Sequence, residues 1–326
     1  MVQFHSLPDR LQAWVVGPAS VREVSIPVGR DDLVKIVDGF RDLIANGKRG
    51  AVQAADRLGT LLIAPLGIES GQRLVVVPHG PLHYLPFQAL RLNGLYLIET
   101  HPVAVAPSIS IAVQLARRTP RAAPELTAFG NPRIEDQYDL PGAEREVQEL
   151  ARLFPQKSVY MRESATKTQF KQVAARSSII HVAAHAQADL VDPLYSRILL
   201  ANENGQQSFL EAREILGLDM NRTALVTLSA CESGLGRIAQ GDEVLGFTRS
   251  FLSAGSSSLI ASLWPVSDDA AELLMRTLYA ELAKGQDIQR AMQAGQVAVL
   301  KQDKMAHPFF WAPFNLIGNW RLTVEG

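Results

Sequence analysis

Two residues able to do covalent chemistry each follow an apolar run of the sequence. Residues 178–185 end on His185, and residues 224–231 end on Cys231, which is the only cysteine in 326 residues and is followed by a glycine-containing stretch. A rigid strand that ends in such a turn fixes and exposes a thiol, and the turn aims backbone N–H groups at a developing oxyanion. A histidine at a neighbouring strand end can deprotonate the thiol or pair with the thiolate. The pattern is typical of a cysteine nucleophile with a histidine base.

The same residues have other interpretations. A lone cysteine after an apolar strand is often just a small buried hydrophobic residue. His181 lies four residues before His185, and two histidines at that spacing can bind a metal. The helical zinc-peptidase motif needs a glutamate directly after the first histidine, and Val182 occupies that position. Spacing alone therefore leaves three readings open: nucleophile, core residue and metal ligand.

Composition narrows the class of protein. The 32 Lys+Arg balance the 33 Asp+Glu to a net charge of −1, with 47% hydrophobic and 20% charged residues. This is an ordinary globular mixture without the basic surplus of a nucleic-acid-binding protein. One cysteine excludes an intramolecular disulfide framework and cysteine-rich zinc sites. The sequence has no apolar run of about 18 residues and no secretory signal at its start. We expect a cytoplasmic protein with no direct nucleic-acid or membrane partner.

Strand-like and helix-like segments alternate along the chain, which predicts an α/β fold. The predicted strands are 11–16, 74–77, 126–129, 158–161, 178–183, 224–228 and 258–263, and the predicted helices are 31–44, 144–153, 167–175, 244–252, 270–282 and 288–300. The alternation favours a mainly parallel sheet with helices on both faces, whose functional site lies beyond the carboxyl ends of the strands. An Ala/Arg/Pro-rich stretch at 116–125 marks the predicted boundary between a domain at 1–120 and a domain at 121–326.

The chain resembles the CHAT domain, a caspase-like family in the clan of cysteine peptidases that includes caspases, separases and gingipains. The segments that carry the resemblance are 77–87, 140–144, 180–185, 228–236, 241–247, 254–255, 258–268 and 307–318, in the family's order and over nearly the whole chain. The resemblance implies a caspase-hemoglobinase fold. It also implies that the first half is a smaller, degenerate protease-like unit. In that half His79-Gly80 imitates the family's His-Gly pair without a cysteine to serve it, and the simpler interpretation of His79 is a turn residue between two prolines.

Carried over residue by residue, His185 resembles the family's base and Cys231 its nucleophile. The oxyanion donors would be the backbone N–H groups of Cys231 and of Ala186, which stands where the family usually has glycine. The implied reaction is acyl transfer: Cys231 attacks the peptide carbonyl, and His185 protonates the leaving amine and then activates water. It needs no metal or organic cofactor. The resemblance gives His181 no catalytic role.

The resemblance also suggests where a substrate peptide lies. The strand after the cysteine strand would pair with it, Trp264 could wall the pocket before the scissile bond, and Asp268 or Asp269 could pair with an Arg or Lys side chain. Glu232 adds negative charge. Cleavage after aspartate would need arginines at positions that neither Arg237 nor Arg249 matches. We therefore expect cleavage after a basic residue, and the alternative for Asp268 and Asp269 is that they cap a helix beginning near Ala270.

Domains of this family commonly follow helical repeat arrays that receive a signal. The chain begins almost at once with a strand-like segment, so it is expected to be a stand-alone form or a domain excised from a longer protein. The expected partners are a protein substrate and a regulatory partner or helical-repeat sensor. The alternative is a protease-like scaffold without activity, and Ala186 in place of glycine is its main support.

Overall fold

The computed structural model describes residues 1–117, 125–187, 189, 191–229, 231–232 and 242–324, and for residues 231, 232 and 242–245 it describes the backbone alone. Much of the predicted boundary segment at 116–125 and most of the stretch after Cys231, including Arg237, lie outside these ranges. The strands are β1 (Val2–Ser6), β2 (Leu11–Val16), β3 (Val21–Ile26), β4 (Leu74–Val77), β5 (Arg91–Leu92), β6 (Leu95–Tyr96), β7 (Val103–Val105), β8 (Glu125–Pro132), β9 (Gln156–Arg162), β10 (Ile179–Ala183), β11 (His185–Gln187), β12 (Arg197–Glu203), β13 (Gln206–Glu211), β14 (Leu225–Leu228), β15 (Cys231–Glu232), β16 (Ser258–Ser262) and β17 (Phe314–Gly318).

Helices fill most of the chain between the strands. They are α1 (Arg30–Ala45), α2 (Ala51–Leu58), α3 (Leu97–Thr100), α4 (Ile109–Ala116), α5 (Pro141–Leu153), α6 (Lys167–Ala174), α7 (Ala212–Ile215), α8 (Asp242–Ala254), α9 (Asp268–Ala283), α10 (Ile288–Leu300) and α11 (Pro308–Trp311). Every helix predicted from the sequence is present, and α10 has the predicted bounds. Among the described residues, no helix combines the length and the apolar character needed to cross a membrane.

The described strands form one large sheet in the order β3-β2-β1-β4-β7-β17-β16-β14-β10-β8-β9. It is parallel from β1 through β4, β7 and β17 and again from β16 to β9; the β16/β17 pair and the β1-β2-β3 meander are antiparallel. The central strands β10 and β14 are buried at every position, as expected of parallel strands covered by helices on both faces. The predicted α/β class with a mainly parallel sheet is confirmed.

A second sheet of the described strands runs β13-β12-β11-β15, and β5 and β6 form a short hairpin. None of the strands of this smaller sheet was predicted. β11 and β15 have only three and two residues and β13 is only partly buried, so they lack the apolar runs that identify buried strands. β12 has a buried apolar run at 198–201 that the sequence analysis missed.

The last strand, β17, lies in the middle of the main sheet and joins its two halves. It pairs antiparallel with β16 and parallel with β7, which comes from the first 120 residues. One continuous apolar core includes residues of both regions, such as Phe4, Phe40, Phe129 and Phe251. The division at residue 120 stays a prediction, and the strands on its two sides share a single sheet and a single core.

The end of β17 requires glycine. Gly318 has φ +106, and a Cβ there would lie 2.5 Å from the Ser257 carbonyl oxygen; Gly285, after α9, has φ +82 but open space around it. Both positions disfavour an L side chain, and only Gly318 adds a clash with backbone.

We expect Gly318→Ala to destabilise the protein by about 3 kcal/mol and the matched control Gly285→Ala by about 1 kcal/mol. Urea unfolding midpoints of the two variants and the unchanged protein measure the difference. Equal losses at the two positions would contradict the close approach of β17 to Ser257.

Candidate active site at the ends of β10 and β14

The two strand exits singled out by the sequence lie side by side. β10 and β14 pair in parallel, with Val182 opposite Leu228, and β11 and β15 then pair in parallel with His185 opposite Cys231. The backbone N–H of Ser229 donates to the Val182 carbonyl at 2.9 Å, which carries the pairing past the end of β14. The backbones of His185 and Cys231 are therefore direct neighbours.

His185 is held by a backbone carbonyl that no sequence pattern predicted. Its Nε2 lies 3.0 Å from the Tyr138 carbonyl oxygen, and the Tyr138 ring meets the imidazole edge-on with 5.6 Å between centroids. A carbonyl oxygen can only accept, so Nε2 carries the hydrogen, and in the neutral ring Nδ1 is the basic nitrogen. Tyr138 lies just before the segment 140–144, but a backbone acceptor leaves no mark on residue type.

The surroundings of His185 favour its neutral form. The side chain is 6% exposed. Burial lowers the pKa of His185 below its ordinary value of 6.5, and the hydrogen bond to the Tyr138 carbonyl and the negative charge of Asp268 oppose that shift. A neutral imidazole is the form that can accept a proton from a thiol.

Asp268 is exposed at the start of α9, but its carboxylate packs against the first turn of α5. A Cβ at Gly142 would lie 2.2 Å from the Asp268 Oδ2 atom. The expectation that Asp268 or Asp269 caps a helix near Ala270 is wrong. The helix begins at Asp268, and Ser267, in extended conformation, caps it by accepting the Ala270 N–H. The two aspartates fall in the first turn, where negative charge suits the helix dipole.

The remaining residues predicted for the substrate pocket are spread around this edge. Trp264 is 4% exposed, and its indole Nε1 donates to the Phe309 carbonyl at 3.0 Å. Asp269 is exposed beside Asp268. Glu232 pairs through its backbone with Ala186 in the small sheet. The substrate roles of Trp264, Asp268, Asp269 and Glu232 stay predictions.

Ala186 has no left-handed backbone conformation. It lies within β11 and is not among the residues with positive φ. Alanine adopts extended backbone without strain, so the methyl group does not distort the chain at this position. Its N–H remains a proposed oxyanion donor together with that of Cys231.

A buried polar network lies beneath the two strand exits. Glu146, on the buried face of α5, contacts His181 Nε2 at 2.7 Å through one oxygen and accepts from the Ser229 hydroxyl at 3.1 Å through the other. His181 Nδ1 lies 3.2 Å from the Tyr279 hydroxyl, which donates to Thr227 at 2.9 Å. Burial raises the pKa of Tyr279 far above its ordinary value, so its hydroxyl stays a donor. The network joins α5, β10, β14 and α9.

The same network accounts for the hydrogen bonds of His181. Both ring nitrogens have partners within the protein and the side chain is fully buried, so His181 is a buried residue of the sheet. His185 belongs to a different strand and a different sheet. The described part of the chain contains no cluster of three or more His, Cys, Asp or Glu side chains that could hold a metal. Glu146 was missed by the sequence analysis, and its signal was a carboxylate on the apolar face of the 144–153 helix.

His79 behaves as the turn residue expected of it. It precedes a short 3-10 helix at Gly80–Tyr84, and its Nδ1 accepts the Ser6 N–H at 3.2 Å. Its ring lies against the ring of His5, with 4.2 Å between centroids.

The family model for the CHAT domain matches residues 52–319. The chain belongs to the CHAT domain family. This CHAT domain is 24% and 26% identical, over 79% of its length, to the proteins named tetratricopeptide repeat protein 28 of Mus musculus and Homo sapiens. It spans 13% of the length of these curated relatives.

Two solved structures share the fold of this CHAT domain. The Arg-specific cysteine proteinase gingipain R aligns with a TM-score of 0.54 at 10% identity over 90% of this chain and 76% of that one. Separase, in the Saccharomyces cerevisiae separase–securin complex, aligns with a TM-score of 0.52 at 14% identity over 75% of this chain and 15% of that one. The predicted caspase-like fold is confirmed.

Removing the Glu146 carboxylate should leave His181 Nε2 and the Ser229 hydroxyl without their buried partner. We expect Glu146→Ala to cost on the order of 3 kcal/mol of unfolding free energy, and Glu146→Gln to cost less because it retains the shape and one acceptor oxygen. The control is Glu149→Ala, which removes a surface ion pair with Arg152 on the same helix and should cost under about 0.5 kcal/mol. Chemical denaturation measures the unfolding free energy of all three variants. A loss in Glu146→Ala no larger than that in Glu149→Ala would contradict a stabilising role of the buried polar network.

The His185 environment can be tested without any assay of activity. An NMR titration of the His185 ring should give a midpoint below 6.5. Because Asp268 raises the pKa of His185, Asp268→Asn should move the midpoint further down, and the adjacent Asp269→Asn should move it less. A midpoint that rises in Asp268→Asn would contradict the influence of the Asp268 charge on His185.

Proposed function

We propose that this CHAT domain is a cysteine endopeptidase that hydrolyses protein substrates through a Cys231–His185 dyad. The observation that carries the proposal is the pairing of β11 with β15, which sets the backbones of His185 and Cys231 opposite each other. The Tyr138 carbonyl occupies Nε2 of His185, so the ring nitrogen available to a thiol is Nδ1. The confirmed caspase-like fold supports the same assignment.

The proposed reaction uses groups of this chain alone. The Cys231 sulfur attacks the substrate carbonyl while His185 takes the thiol proton, and the resulting oxyanion accepts hydrogen bonds from the backbone N–H groups of Cys231 and Ala186. His185 then donates its proton to the leaving amine and afterwards activates the water that hydrolyses the thioester. The lowered pKa of His185 favours the neutral ring that starts this sequence.

We propose cleavage after arginine or lysine. Asp268 and Asp269 at the start of α9 are the carboxylates considered for the basic side chain, and the effect of Asp268 on the pKa of His185 is consistent with its closeness to the dyad. Trp264 and Glu232 complete the proposed pocket. We also propose that regulation comes from a partner or from a helical-repeat sensor, since the relatives of this chain are named for tetratricopeptide repeats.

The second candidate is an inactive protease-like binding scaffold. It is favoured by Ala186 at the position where the family usually has glycine. The two candidates differ in the reactivity of one sulfur: an endopeptidase has an activated thiol at Cys231, and a scaffold does not.

A panel of peptides with a fluorogenic leaving group after Arg, Lys or Asp should show turnover of the Arg and Lys members by the unchanged protein. Cys231→Ala should reduce kcat/KM by at least about 10³-fold, because it removes the nucleophile, and the unfolding midpoint should change little. Retained turnover in Cys231→Ala would exclude the dyad mechanism, and preferential turnover of the Asp peptide would exclude the basic pocket.

A thiol-reactive peptide probe distinguishes the two candidates when no peptide of the panel is cleaved. Because Cys231 is the only cysteine, any labelling reports on that residue. Rapid labelling that is lost in His185→Ala supports the endopeptidase, whereas labelling no faster than that of a denatured sample supports the scaffold.

A further inference from the structure

A small polar cavity of about 220 Å³ is lined in part by β11, the strand that begins at His185. The residues that matter for its chemistry are Tyr138, Gln187, Arg197, Gln207 and Phe209. Tyr138 is the residue whose carbonyl holds His185. Gln187 follows His185 by two positions on β11 and therefore points to the same side of that strand. The cavity is thus built on the strand that carries the proposed base.

The order of strands tells which part of a substrate would reach this cavity. The strand proposed to pair with the substrate before the scissile bond is β16, on one side of β14, and the histidine strand β10 lies on the other side. His185 must stand at the leaving amine to protonate it. A peptide that crosses from β16 over Cys231 to His185 therefore carries its residues after the scissile bond toward the cavity.

Arg197 gives the cavity its charge. Its Nε donates to the Gln187 side-chain oxygen at 2.8 Å, and its guanidinium lies over the Phe209 ring at 4.4 Å. These contacts hold the group flat and in place. Within the described residues, no carboxylate oxygen lies within 4.0 Å of the Arg197 guanidinium nitrogens. The ion pairs in this part of the sequence involve other arginines, Arg133, Arg162 and Arg213. An arginine fixed in this way presents its terminal N–H groups to a carboxylate.

The acidic residues around the cavity are bound to other groups. Glu211, opposite Arg197 in the β12/β13 pairing, forms an ion pair with Arg213. Glu135 accepts from the side-chain amides of Gln137 and Gln207. The Asp189 carboxylate accepts from the backbone N–H groups of residues 191 and 192. The charge of Arg197 also helps to lower the pKa of Asp189, so Asp189 is a neighbouring carboxylate, but its oxygens accept from backbone N–H groups and form no ion pair with the guanidinium.

We infer that this cavity is a specificity subsite that binds an aspartate or glutamate side chain of the substrate, within the first residues after the scissile bond. Arg197 binds the carboxylate. Gln187 is a second donor, since its oxygen already accepts from Arg197 and its NH₂ group is therefore the remaining hydrogen-bonding group of the amide. The inference rests on the proposed endopeptidase function, and it adds a requirement on the opposite side of the bond from the basic residue.

The test uses internally quenched peptides that span the cleaved bond. Each has arginine before the bond and glutamate, glutamine or lysine at the first, second or third position after it. We expect the unchanged protein to cleave the glutamate peptide about tenfold more efficiently than the glutamine peptide at one of these positions. In Arg197→Gln that ratio should fall to about one, and Arg197→Glu should favour the lysine peptide. Arg152→Gln, which changes an exposed arginine on α5, should keep the tenfold ratio.

Binding separates this inference from the proposed function. The fluorescence polarisation of a labelled glutamate peptide with Cys231→Ala, with and without Arg197→Gln, reads the subsite without turnover. Arg197-dependent binding by a protein that cleaves nothing would support the subsite and overturn the endopeptidase. Cleavage with no glutamate preference, or with a preference that persists in Arg197→Gln, would overturn the subsite and leave the endopeptidase standing. If the protein cleaves none of the peptides and its binding of the glutamate peptide does not depend on Arg197, both the subsite and the endopeptidase are overturned.

Discussion

The parallel pairing of β10 with β14 is the constraint on which the site depends. Val182 lies opposite Leu228 in the large sheet, and three residues later His185 lies opposite Cys231 in the small one. The two neighbouring segments therefore keep the same register in the large sheet and in the small sheet. A slip of one residue in this pairing would turn every side chain of one strand to the other face, and His185 would no longer lie opposite Cys231. In these fully buried strands a slip would move His181 and Thr227 away from their buried hydrogen-bond partners, and this loss favours the observed register.

The buried carboxylate of Glu146 supplements that register with hydrogen bonds. It connects α5 to His181 on β10 and to Ser229, which follows β14. Tyr279 and Thr227 extend the same network to α9. Satisfied polar networks in a low-dielectric interior are specific because a displaced member loses its partner without gaining water. The helix that carries Glu146 also begins next to Tyr138 and Asp268. The carbonyl that orients His185 and the carboxylate that raises its pKa therefore both lie at the start of α5.

The small sheet gives the site its asymmetry. Its strands β11 and β15 carry the two proposed catalytic residues, and β12 and β13 build the wall with Arg197 and Phe209. Negative charge lies at the start of α9, and a guanidinium held by Gln187 and Phe209 lies on β12. The proposed substrate, basic before the cleaved bond and acidic after it, would match these two charges.

The sequence by itself determined the positions of the buried strands of the main sheet that carry the candidate residues, and it identified those candidate residues. Residues 178–185 and 224–231 have apolar runs long enough to identify the buried strands and reactive types at their ends, because burial and periodicity are local properties. The tertiary structure alone decided what surrounds these residues. The Tyr138 carbonyl has no side-chain signal, Glu146 is one of many helical glutamates, and nothing in the type of Arg197 shows that Gln187 and Phe209 will lie against it. The place of β17 between β16 and β7 likewise depends on contacts between residues some 200 positions apart, which no local pattern encodes. Such partners are set by how the elements pack, and packing is a property of the whole chain.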